Sequence, residues 1–284
     1  MKTRIVLTLV AAAALAGCGG ADGSGGRRKV VAAFYPLAFA AAEIGGNDVS
    51  IRNLTPPGVE PHDLELAGSE VRELGDADVV LYLGGGFQPA VEDAIEATSA
   101  HALDLLQAVE TQPAREDDDV DPHVWLDPVR YAAIAERIGK ELGHDSAAAP
   151  FVAKVRALDR EYRSGLSGCE RHELVTSHGA FGYLADRYRL TQVAITGVTP
   201  EAEPTPRRLE DVVREVRAVG ASTVFSERLV SPRLAETVAR EVGAKTAVLD
   251  PLEGLTHEEA AAGDDYFSVM RRNLAALREA LGCR

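Results

Sequence analysis

Two rhythms of apolar residues alternate along this chain. Short runs rich in valine, leucine and isoleucine at residues 29–33, 49–54, 78–83 and 101–105 have the length and composition of strands. Helical stretches fit between them, with Ser69 expected to cap one helix and Pro89 to open another. The pattern then changes. Residues 128–142 and 147–166 read as two consecutive helices, the second presenting Phe151, Val155, Leu158 and Tyr162 at i, i+4, i+7 and i+11. After Cys169 the alternation resumes, with strands expected at 172–176, 191–195, 222–226 and 245–249 and a closing helix at 264–281. Residues 197–206 hold three prolines and two glutamates and read as an extended loop.

Strands alternating with helices predict an α/β fold of two similar lobes, each a mainly parallel four-stranded sheet with helices on both faces, joined by one long linking helix. The expected boundaries are 29–145 for the first lobe, 146–168 for the linking helix and 169–284 for the second lobe. A cleft between the lobes follows. Ligands of open α/β sheets bind at the carboxyl ends of the strands, so the residues at those ends are the ones to inspect.

The amino-terminal segment changes the picture of where the chain works. Lys2 and Arg4 precede an apolar run from Ile5 to Leu15 that is too short for a membrane span of ~20 residues. It ends in Leu15-Ala16-Gly17-Cys18, which resembles a bacterial lipobox. Residues 1–17 are therefore expected to be a signal peptide. Residues 18–28 are expected to be a lipid anchor on Cys18 and a flexible glycine-rich leash. Removing Lys2 and Arg4 takes the formal charge from −14 to −16, an acidic body with no basic stripe, so nucleic acid is not an expected partner. With Cys18 assigned to lipid, Cys169 and Cys283 remain as an even pair in a chain routed to an oxidising compartment, and a disulfide between them is expected.

The candidate chemistry lies in four places. Asp121-Pro122-His123-Val124-Trp125-Leu126-Asp127-Pro128 brackets one imidazole between two Asp-Pro pairs. Proline restricts its own φ and the residue before it, so the His123 ring is held before any ligand arrives. Asp127 and Pro128 also suit a helix N-cap and first position, although capping leaves the histidine unexplained. His62 follows the second strand, His178 the strand ending at Thr176, and Asp250 the strand ending at Leu249. Taken singly, His62 reads equally as a solvated loop residue, His178 as a residue beside a Ser177 cap and Asp250 as a turn former. Taken together they put three imidazoles and a carboxylate at one edge of the two sheets, a donor set that suits tetrahedral Zn2+.

The remaining signals are weaker. His101, His144 and His172 sit among polar neighbours and read as solvated, and His257 lies inside a Thr256 to Glu259 capping box. Gly84, Gly85 and Gly86 lack the lysine and spacing of a phosphate loop and read as a tight turn. The acidic run at 116–119 reads as a solvated loop.

The sequence resembles the metal-binding lipoproteins and periplasmic proteins of bacterial ABC importers for zinc and manganese. The resemblance rests on Glu60-Pro61-His62-Asp63, the Asp121 to Pro128 stretch, Ser177 to Tyr183, the proline-rich loop and Leu249 to Leu252. It implies a metal held between the lobes, His62 and His123 coming from the first and His178 and Asp250 from the second. Glu60 is the alternative carboxylate. It also implies delivery to a membrane permease. Many zinc members carry a long histidine-rich loop before the second ligand, whereas here only the acidic run occupies that place, which argues against metal sampling there. The leading expectation is a lipid-anchored, monomeric, non-catalytic Zn2+ carrier on the extracytoplasmic face of the membrane. Alternatives are a manganese carrier of the same kind, a zinc-dependent hydrolase with Glu60 or Glu227 as base, and an adhesin with a structural metal. His-Glu-x-x-His and Gly-x-Ser-x-Gly are both absent from the sequence.

Overall fold

The computed structural model describes residues 26–113, 120–200 and 204–284. The first lobe is a sheet of β1 (Arg28–Ala32), β2 (Val49–Asn53), β3 (Val79–Tyr82) and β4 (Ala102–Asp104) in the order β2-β1-β3-β4. Every pair is parallel. Parallel neighbours need a crossover of a dozen or more residues, usually helical, and α1 (Tyr35–Gly45), α2 (Gly68–Gly75) and α3 (Pro89–Thr98) provide these connections. Then come α4 (Pro128–Leu142) and the long α5 (Asp145–Gly165). The second lobe repeats the plan. Its strands are β5 (Glu173–Thr176), β6 (Thr191–Ala194), β7 (Thr223–Ser226) and β8 (Lys245–Val248), ordered β6-β5-β7-β8 and again all parallel. Helices α6 (Gly182–Tyr188), α7 (Pro206–Val219) and α8 (Arg233–Val242) connect them, and α9 (His257–Ala262) and α10 (Tyr266–Leu281) follow.

Three of the helix starts expected from sequence form where they were expected, and one does not. Asp127 caps α4 by accepting from the Val129 N–H at 2.8 Å with Pro128 at the first position, Pro89 opens α3, and Thr256 and Glu259 close a reciprocal capping box on α9. Ser69, expected as a cap, lies inside the first turn of α2. The N-cap there is Ala67, whose N–H is taken by the Glu70 carboxylate at 2.9 Å, the glutamate half of a capping box without the hydroxyl half.

One apolar core crosses both lobes. It runs from Val30, Leu81 and Phe34 through α4 and α5 to Phe181, Phe225, Leu249 and Tyr266. Aromatic rings bind it together, with Phe34 edge-on to Trp125 at 4.7 Å and Tyr131 stacked on Tyr266 at 4.2 Å. A separate aliphatic cluster of Val175, Val193, Ile195, Val212, Val216, Val224 and Val238 lies where α7 and α8 meet the second sheet. Cys169 and Cys283 form the expected disulfide, joining the chain after α5 to the chain after α10. In the chain-entropy picture a closed loop of this size stabilises by up to ~4–5 kcal/mol.

Among the described residues no helix is long and apolar enough to cross a membrane. The signal segment with Cys18, the acidic run at 116–119 and residues 201–203 of the proline-rich loop lie outside the described residues.

Candidate metal centre

His123 is fixed by its neighbours in sequence. The Asp121 carboxylate accepts the His123 backbone N–H at 2.9 Å and lies 2.7 Å from its Nδ1, so one aspartate sets both the turn and the ring. A buried 3-10 turn, Val124–Leu126, then leads into α4, and the Trp125 indole lies 5.1 Å from the His123 ring. His178 is fixed by topology instead. It follows β5, and Glu227 follows β7, the two adjacent strands at which the sheet order reverses and a crevice opens. There Glu227 Oε1 sits 2.8 Å from His178 Nδ1. His62 arrives on a loop containing Pro56, Pro57 and Gly58, the last at φ +82°. Its N–H is accepted by Glu60 at 3.1 Å and its ring meets Phe87 edge-on at 4.7 Å.

The three Nε2 atoms converge on one carboxylate. Glu253 Oε1 lies 3.1 Å from His123 Nε2 and 3.3 Å from both His62 Nε2 and His178 Nε2. One donor atom from each of His62, His123, His178 and Glu253 lies within 4.8 Å of the other three. His123 and His178 are fully buried and Glu253 nearly so, while the His62 side chain keeps 6% exposure.

The charges explain the balance of the cluster. Burial works against an imidazolium at His123, but hydrogen bonds to Asp121 and Glu253 outweigh it and raise its pKa above the ordinary value. At His178 burial is again outweighed, by the charges of Glu227 and Glu253, and the pKa stands well above the ordinary value. His62 lacks such a second carboxylate, and burial lowers it. Burial would raise Glu253 too, yet the three imidazoles hold it well below the usual carboxylate range. Glu60 is pushed up to about 9 by burial and by the charge of Glu253.

Such an arrangement accommodates a divalent cation. With Nδ1–H of His123 and His178 donated to Asp121 and Glu227, both Nε2 lone pairs face the centre, the orientation that outer carboxylates impose on metal-binding histidines. Glu253 Oε2 and Glu60 Oε2 are buried with no donor beside them among the described residues, which is costly unless a cation, or a proton shared between the two carboxyls, answers them. Two glycines make room. A β-carbon on Gly182 would stand 2.8 Å from Asp121 Oδ2, and one on Gly179 would stand 3.2 Å from the Gly197 carbonyl.

The structure thus gathers three of the four side chains expected from sequence and puts Glu253 where Asp250 was expected. Asp250 Oδ1 turns back to accept the Leu252 N–H at 2.8 Å, while Arg228 Nε lies 3.6 Å from Oδ2. Burial, reinforced by the charge of Glu259, pushes Asp250 up to about 7. Glu60, the alternative carboxylate, borders the group without joining it. Glu227, considered as a base, orients His178 instead. Glu253 carried no sequence signal beyond its place in the same turn as Asp250. Asp121 was legible only as part of its motif. His101, His172 and His257 are exposed, His144 is half-buried, and none belongs to the cluster.

Comparison with known proteins agrees with this geometry. The family model described as zinc-uptake complex component A, periplasmic (ZnuA), matches residues 30–280. Zinc-binding protein AdcA of Streptococcus pyogenes serotype M6 is 34% identical over 287 residues, covering 89% of this chain and 56% of that protein. The chain therefore spans little more than half the length of this streptococcal relative. The high-affinity zinc uptake system protein ZnuA of Bacillus subtilis is 31% identical over 288 residues, covering 93% of this chain and 90% of that one. The crystal structure of the Zn(II)-bound ZnuA-like domain of Streptococcus pneumoniae AdcA superposes with a TM-score of 0.78 at 34% identity, over 90% of this chain and 99% of that one. With a family model covering nearly all of both lobes, this chain belongs to the family of zinc-uptake complex component A, ZnuA.

Proposed function

We propose that this protein captures Zn2+ between its lobes outside the cytoplasm and delivers it to the permease of an ABC importer, without catalysis of its own. The observation that carries the reading is the convergence of His62, His123, His178 and Glu253 in a buried site with outer carboxylates on two of the rings. Three nitrogens and one oxygen suit tetrahedral zinc, whereas manganese prefers oxygen donors in an octahedron. Four protein donors also fill the position that catalytic zinc leaves open for water, which supports carriage over hydrolysis. Relatives named for zinc binding and zinc uptake point the same way. In this reading residues 1–17 are removed, lipid on Cys18 and the leash to residue 28 hold the carrier near its permease and raise its effective concentration there, and α5 is the link between a first lobe at 29–145 and a second at 169–284.

The test is elemental analysis of protein purified without chelator, followed by competition between Zn2+ and Mn2+ at equal free concentrations. Bound zinc that manganese fails to displace is the expected result. Displacement by Mn2+, or unchanged zinc stoichiometry and affinity in His123→Ala and Glu253→Gln, would overturn the reading.

A further inference from the structure

Asp250 is an aspartate in the right stretch that does not join the cluster, and its surroundings give it another task. The turn after β8 runs Leu249-Asp250-Pro251-Leu252-Glu253 and has to reverse so that Glu253 enters the cleft. Leu252 makes the reversal at φ +57°, left-handed backbone that a β-carbon disfavours and that persists only where neighbours hold it. Four hydrogen bonds, all buried, surround it. Asp250 Oδ1 accepts the Leu252 N–H at 2.8 Å, closing an Asx turn. Asn273 on α10 grips the backbone of Asp250 at both ends, its Oδ1 accepting the Asp250 N–H at 2.9 Å and its Nδ2 donating to the Asp250 carbonyl at 2.7 Å. Trp125, two residues beyond His123, donates its indole N–H to the Pro251 carbonyl at 2.8 Å.

The same helix also holds the other lobe's contribution. Tyr266 lies two helical turns before Asn273, on the same face of α10, and its hydroxyl donates to the Trp125 carbonyl at 2.7 Å. One helix face therefore fixes the turn that delivers Glu253 and the turn that delivers His123.

We propose that Asp250 and Asn273 are positioning residues for metal capture: they lock the left-handed turn at Leu252 and so aim the Glu253 carboxylate at the three imidazoles. The inference rests on the metal site proposed above. It distinguishes two roles for Asp250 that sequence cannot separate. A ligand must offer an anionic oxygen to the metal, whereas an Asx turn needs only an acceptor, which an asparagine side chain supplies equally well.

The experiment measures Zn2+ affinity of the full chain by competition with a chromophoric chelator, with the Co2+ absorption spectrum as a readout of coordination geometry. Asp250→Asn should bind like the parent and give the parent spectrum. Asp250→Ala and Asn273→Leu should lose roughly 10–100-fold in affinity, the range for residues that orient ligands rather than bind metal, with Co2+ spectra displaced toward that of Glu253→Gln. Asp250→Leu stands in if the alanine variant does not fold. Equal losses in Asp250→Asn and Asp250→Ala would mean that the charge itself is needed and would overturn the proposal, as would parent-like binding by Asp250→Ala and Asn273→Leu. Parent-like binding by Glu253→Gln would instead overturn the site on which the proposal rests.

Discussion

The floor of the cleft and the loop that covers it are built on different principles. His123 and His178 are fully buried, and each has its Nδ1 held by a carboxylate within 2.8 Å, so each ring has one orientation and a raised pKa. His62 rides on a proline and glycine loop, its side chain keeps 6% exposure, and it has a lowered pKa and no carboxylate on Nδ1 among the described residues. A preorganised floor means that little ordering remains to be done when the metal arrives, and the His62 loop is the part expected to open for passage.

The largest expected effects test the floor. His123→Ala and His178→Ala each remove a donor and strand a buried carboxylate, so zinc affinity should fall by well over the ~100-fold that loss of an outer partner costs at most. His62→Ala should cost less and should speed zinc release. Chelator competition with stopped-flow release rates ranks the three, and an equal or larger loss at His62 would erase the distinction. Next are Asp121→Asn and Glu227→Gln, which keep shape but weaken the hold on each ring. Roughly 10–100-fold losses are expected, and isothermal titration showing parent affinity in both would remove the preorganisation argument.

The pH dependence is a smaller but sharper test. Because the pKa values of His123 and His178 are raised in the metal-free protein, these rings still carry protons above the ordinary ~6.5 of histidine, and zinc must displace them. Affinity should therefore climb as pH rises through and beyond that value, with net proton release at pH 7. The His62 ring, lowered, is already neutral there and adds little. Calorimetry in buffers of different ionisation enthalpy measures the release. Independence from buffer would contradict the assignment, and loss of His178 should reduce the release more than loss of His62.

The smallest effect concerns the His62 loop itself. Gly58 at φ +82° donates its N–H to the Leu255 carbonyl of the other lobe at 2.8 Å, and a β-carbon there would stand 3.0 Å from the exposed His257 ring. Gly58→Ala should cost on the order of 1 kcal/mol in closure through the left-handed penalty, read as a few-fold faster release with little change at the floor. Unaltered release kinetics would mean that this loop does not gate the site.

Much of the fold was legible because its signals are local. Eight strands appear where short apolar runs predicted them, Pro89 and Asp127-Pro128 start the helices they should, and Cys169 pairs with Cys283. Ser69 misled because the helix begins two residues earlier, at the Ala67 N-cap, where the Glu70 carboxylate takes the N-cap N–H and leaves Ser69 inside the first turn. Position after a strand pointed to His62 and His178, and the two Asp-Pro pairs around it pointed to His123.

Choosing between two carboxylates three residues apart was beyond the sequence. Asp250 and Glu253 leave the same strand end, and which one faces the imidazoles depends on the left-handed backbone at Leu252. That conformation is held by Asn273 from a helix that comes later in the chain and by Trp125 from the opposite lobe. The sequence determined which elements form and which chemistry reaches the cleft, because both follow from local pattern and spacing. The direction of each carboxylate was decided only by tertiary structure, because it depends on dihedral angles that distant hydrogen bonds select.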